Sequence, residues 1–128
     1  IAVFVPERGV LFASDNLFVD HLIWWQDANP HACLESLDRL KGLDVEWIVP
    51  GHGPCCKKDM LDKMEEQTRE VLSRVQVAIK AGMTEGEAVE SVKYRDLCVL
   101  DENYKDVHGD VEKVSIQVLY RFLKTHGE

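Results

Sequence analysis

The sequence is short of the features that most often announce a function. No apolar run approaches the ~20 residues that a membrane-spanning helix needs, and no internal repeat, low-complexity tract or secretory leader is visible. No G-x-S-x-G elbow, P-loop or Rossmann glycine pattern occurs, so the sequence marks of serine hydrolases and of nucleotide-binding folds are missing. Positive charge is scarce. Fifteen Lys and Arg face 23 Asp and Glu, giving a net charge of −8, a balance that argues against binding a phosphate backbone. Neither a nucleic acid nor a membrane is therefore expected as a partner. Cysteine is sparse and wrongly spaced for a scaffold. The four residues Cys33, Cys55, Cys56 and Cys98 include no C-x-x-C pair, and the adjacent Cys55 and Cys56 are poor candidates to bridge each other. This usage predicts a reducing, cytoplasmic-type protein without a structural zinc knuckle.

What is present is an ordinary globular composition. The 128 residues are 45% apolar and 30% charged, enough for one modest core. Ala2 to Val5 and Val10 to Ala13 read as two short strands joined by the turn "PERG", a hairpin with apolar residues at nearly every position. The stretch "SDNLFVDHLIWWQDANP" reads as a loop. Asn29 as N-cap and Pro30 as first helical residue open a helix that Gly42 closes. Val45 to Val49 reads as a third strand, broken by "PGHGP". A long helix is expected from Lys58 to Ala81, with Met60, Leu61, Met64, Val71, Leu72, Val75, Ala78 and Ile79 on its apolar stripe and Gly82 at its end. Thr84 and Glu87 have the spacing of a capping box for a short helix. After the loop "DENYKD", Asp110 opens a last helix that ends at Gly127.

The order β-β-α-β-α-α-α implies an α/β fold, one small sheet with helices on one face. Residues 1–82 form the sheet-bearing part and residues 83–128 a helical extension of the same domain. The chain opens at Ile1 directly into a strand-like run, the opening expected of a piece cut from a longer protein.

Two strand ends carry metal-ligand chemistry. "VLFASD" puts Asp15 just past the second strand, and "IVPGHG" puts His52 just past the third. In α/β sheets, loops beyond strand ends converge on a crevice. Gly51 and Gly53 would let the chain turn sharply around the imidazole, and carboxylate and imidazole are both ordinary zinc ligands. Other candidates read more plainly. His21 and His31, flanking Trp24 and Trp25, read as surface or capping residues, and Cys55 and Cys56 as structural or incidental thiols.

The ordered pair "FASD … PGHGP", with a helix between, resembles the C-terminal half of the metallo-β-lactamase-fold hydrolases. Ser14 stands where that family usually has Gly. The unit "SLDRLKGLDVEWIVPGHG" resembles the family's helix-strand unit, and the likeness covers roughly residues 1–80. It implies half of an αββα sandwich, with Asp15 bridging two metals and His52 binding the second. The family's H-x-H-x-D-H signature is absent from this sequence. The resemblance thus implies zinc in the intact family, a site this chain cannot complete, and no catalytic competence alone. The alternative is a non-catalytic, oligomeric interaction module. Strands apolar on both faces predict a homodimer, or a missing N-terminal half, covering the sheet near Val3, Phe4, Phe12 and Trp47. The competing expectation is that the helix from Asp110 to His126 folds over that face.

Overall fold

The computed structural model describes residues 1–19, 21–26, 28–98 and 110–126. Strands β1 (Val3–Val5), β2 (Val10–Phe18) and β3 (Trp47–His52) form a sheet of order β1-β2-β3. β1 and β2 are an antiparallel hairpin in which Val3 faces Phe12 and Val5 faces Val10. β2 and β3 run parallel, with Leu11 opposite Ile48 and Phe12 opposite Val49, so the connection between them must cross over and does so through helix α1 (Pro30–Lys41). Helices α2 (Asp59–Lys80), α3 (Glu85–Ser91) and α4 (Val111–His126) follow, with a single 3-10 turn, Arg95–Leu97, between the last two. The small α/β architecture is the one the sequence implies.

Local chemistry sets the helix ends. The Asn29 side chain accepts from the Ala32 N–H at 3.0 Å, and Pro30 occupies the first turn of α1. α2 stops at Ala81 in a Schellman closure, with Gly82 N–H bonded to the Ile79 carbonyl and Met83 N–H to that of Ala78. The Thr84–Glu87 capping box forms in both directions. Asp110 caps α4 by accepting from the Lys113 N–H at 3.1 Å. The "DENYKD" loop, His108 and Gly127 lie outside the described residues.

The core sits on one side of the sheet. Leu11, Ala13 and Ile48 turn inward to meet α1 and α2, whose buried residues include Leu37, Leu61, Met64, Val71 and Val75. α4 packs on α2 and α3 through Ile116, Leu119 and Leu123. Trp25, 1% exposed, is buried among them, its backbone N–H donating to Ser115 Oγ at 3.2 Å. α4 thus belongs to the helical layer, and the expectation that it covers the opposite face of the sheet is overturned: Val3, Phe12 and Trp47 on that face stay about half exposed.

Four strand boundaries also differ from the sequence reading: β1 begins at Val3 rather than Ala2 and β3 at Trp47 rather than Val45, and the far ends of β2 and β3 both run on. β2 continues through the polar Ser14, Asp15 and Asn16 to Phe18, and β3 continues through Pro50 and Gly51 to His52. The polar interruption hides the first extension and the proline the second. Proline is tolerated here because β3 lies at the sheet edge, beside an irregular ladder. Among the described residues, no helix is long and apolar enough to cross a membrane.

Candidate functional site

Asp15 and His52 come together. Asp15 therefore lies within β2 rather than past its end, at a place where the ladder is broken: from Ser14 to Phe18 β2 advances four residues, while β3 advances two, from Pro50 to His52. A bulge of this kind re-aims side chains, and here it turns Asp15 toward the end of β3. Asp15 Oδ1 stands 3.3 Å from His52 Nε2, and both side chains are open to solvent. The Ser14 backbone that starts the bulge is in the left-handed region, φ 53°, alone among the described non-glycine residues.

The imidazole is held from several sides. Its ring stacks on Phe18, centroids 4.7 Å apart and planes 6° from parallel. The His52 carbonyl accepts from the Val19 N–H at 2.9 Å, fixing the ends of the two strands to each other. The glycines around His52 explain how the two strands come so close. A Cβ on Gly51 would overlap Asp15 Oδ1 and lie 2.7 Å from the Ser14 carbonyl. A Cβ on Gly53, at φ +95°, would overlap the Val19 carbonyl. Both positions need a bare backbone for packing, and Gly53 for its conformation as well.

The sequence reading missed one neighbour. His21 lies with its ring centroid 5.8 Å from that of His52, and its Nδ1 is 3.0 Å from the Val19 carbonyl oxygen. It sits in irregular chain after β2, where no periodicity or spacing signals proximity to a residue 31 positions on. The remaining candidates lie elsewhere. His31 meets the edge of Phe122, centroids 5.1 Å apart, in a shallow groove of about 410 Å³ between α1, α2 and α4. Cys56 pairs through its backbone with Ile48, at 2.8 and 2.9 Å. At ~3.3 Å per residue that is about 13 Å along β3 from His52. Burial, then the negative charge of Asp59 and the neighbouring Cys55, pushes the Cys56 thiol up to about 11, so it is a poor thiolate donor at neutral pH.

The separation of the pair is that of a direct carboxylate–imidazole contact, and it is also one that two donors of a single metal ion can have. Ligand bonds of about 2.0–2.1 Å at the tetrahedral angle place two donor atoms of one zinc about 3.3 Å apart, the separation found between Asp15 Oδ1 and His52 Nε2. Among the described residues, no group of three or more His, Cys, Asp and Glu side chains is placed to hold a metal ion. No protein-family profile and no curated protein matches the chain.

Proposed function

We propose that this chain carries part of the metal centre of a zinc-dependent hydrolase of the metallo-β-lactamase type, and that it is not catalytically competent alone. The observation that supports the reading is the Asp15–His52 pair, set by a bulge and two close-packed glycines at the spacing of two ligands on one zinc. In this reading Asp15 would serve as a carboxylate ligand and His52 as an imidazole ligand of the metal centre, with the ring orientation of His52 set by Phe18. Zinc, when bound in a complete site, supplies an acidified water for hydrolysis. This chain contributes two donors where a held zinc takes about four. The four cysteines, with no C-x-x-C pair and no small-secreted spacing, support a reducing, cytoplasmic-type compartment.

Zinc binding tests the reading. Protein dialysed after zinc exposure should retain well under one equivalent, and no zinc-dependent hydrolysis of ester, thioester, β-lactam or phosphodiester probes should follow. At high micromolar zinc, the His52 imidazole NMR signals should shift, and Asp15→Ala should weaken that response about tenfold or more. A His52 signal indifferent to zinc overturns the metal assignment. Stoichiometric zinc with turnover that disappears in His52→Ala overturns the incompetence. A second reading, a non-catalytic interaction module, is favoured by a different observation, the open face of the sheet.

A further inference from the structure

The irregular chain that follows β2 runs past the Asp15–His52 pair. At its near end the Val19 N–H donates to the His52 carbonyl at 2.9 Å. The Val19 carbonyl accepts from His21 Nδ1 at 3.0 Å. The same carbonyl lies where a Cβ on Gly53 would stand. One residue thus holds the end of β3 and the His21 ring together.

At its far end this chain is fastened to the helical layer. The Tyr94 hydroxyl donates to the Ile23 carbonyl at 2.7 Å, from 71 positions away in sequence. The Trp25 N–H donates to Ser115 Oγ of α4 at 3.2 Å, from 90 positions away. Tyr94 is fully buried, and its own backbone N–H donates to the Glu112 carboxylate of α4 at 2.8 Å. Its backbone is therefore tied to α4, and its hydroxyl to the chain beside the pair.

We propose that Tyr94 is a positioning residue for the Asp15–His52 pair, acting through Ile23, with Ser115 as the second anchor. Leu22 and Ile23 are 3% and 1% exposed. Apolar burial is non-directional, so it holds them against the core without fixing them along it. Irregular chain has no ladder to set its register either. The hydrogen bonds at Ile23 and Trp25 set it, because donor and acceptor must meet within a narrow range of distance and angle. A slip of one residue moves the chain by about 3.5 Å. That is enough to part Val19 from the His52 carbonyl and to carry His21 off the His52 ring, 5.8 Å away between centroids. The placement of His21 and of the end of β3 stands on this geometry alone. Its consequence for metal rests on the reading of the pair as zinc ligands: a ligand whose supports loosen holds metal less well.

Two NMR readouts on the full chain test the proposal. Without zinc, the through-space contact between the His21 and His52 ring protons reports the placement. With zinc added, the concentration that half-shifts the His52 signals reports the pair. Tyr94→Phe keeps the ring and removes the hydroxyl. It should weaken the ring contact to about half or less and raise that zinc concentration about fivefold, below the usual loss for a group bonded directly to a ligand. Leu123→Ala is the control. Leu123 is 5% exposed on the same helix as Ser115, about 12 Å further along it. Its truncation should leave both readouts unchanged in the folded chain, which separates positioning from lost stability. Circular dichroism checks folding, and if Tyr94→Phe does not fold, Ser115→Ala decides by the same readouts. An unaltered ring contact in Tyr94→Phe overturns the proposal, and so does an equal loss of contact in Leu123→Ala. A lost contact with an unmoved zinc response overturns the positioning of the pair and confines the effect to His21. A parent His52 indifferent to zinc overturns the zinc reading alone, and the zinc-free contact still decides the placement.

Discussion

Ser14 holds a backbone conformation that suits glycine. At φ 53° its Cβ crowds the chain, a state costing about 1–2 kcal/mol for an ordinary L-residue. The bulge that turns Asp15 toward His52 begins at this strained residue. Ser14→Gly should therefore stabilise the fold by about 1 kcal/mol, the relief being partly offset by the freer unfolded chain. Urea unfolding monitored by circular dichroism checks the sign. Gly53→Ala is the reverse experiment and should cost about 3 kcal/mol or more, because the strained φ and the overlap with the Val19 carbonyl add. A Ser14→Gly protein less stable than the parent would show that the left-handed backbone is not where the strain lies. That Asp15 and His52 lie near each other follows from reading "FASD" and "PGHG" at the ends of neighbouring strands, but the place of Asp15 inside β2 does not. His21 was not legible. Its approach to His52 depends on the path of an irregular segment, and irregular chain leaves no period to read.

At the scale of elements, the described helix starts were the most readable features, since capping is local chemistry. Asn29, Thr84 and Asp110 each accept a backbone N–H from three residues on. Strand ends were less readable because a strand is defined by its neighbour. β2 extends past Ala13 only because β3 offers carbonyls and N–H groups as far as His52. The turn Arg95–Leu97 was not readable at all, since its organiser is distant in sequence. The Glu112 carboxylate, 6% exposed at the start of α4, accepts from the backbone N–H groups of Tyr94 at 2.8 Å and Arg95 at 2.7 Å. It anchors one element to another in place of a local cap. Tyr94 continues the connection, its hydroxyl donating to the Ile23 carbonyl at 2.7 Å. Glu112→Ala leaves two backbone donors without their acceptor and should cost about 3 kcal/mol. Glu112→Gln keeps one oxygen in place and should cost about 1 kcal/mol. Thermal unfolding separates the two: the alanine variant should melt about 10 °C lower and the glutamine variant about 3 °C lower. Equal losses would mean that the side chain acts by filling space and not by accepting those bonds.

At the scale of the molecule, the two layers have opposite standing. The helical layer is a finished core, and the sheet is finished on one side. α4 closes that core from far along the chain, with Val111, Ile116, Leu119, Tyr120 and Leu123 buried in the same cluster as Leu11, Leu37 and Ile48. α4 is therefore part of this core. Five side chains at about 2 kcal/mol each give α4 roughly 10 kcal/mol of apolar burial, as large as the whole stability of a typical domain, about 5–15 kcal/mol. A chain ending at Cys98 should accordingly show no cooperative unfolding transition, while Leu119→Ala in the full chain should fold and lose about 3 kcal/mol. Urea unfolding monitored by circular dichroism checks both: a chain ending at Cys98 that still unfolds cooperatively, or a Leu119→Ala loss below about 1 kcal/mol, would show that α4 does not close the core.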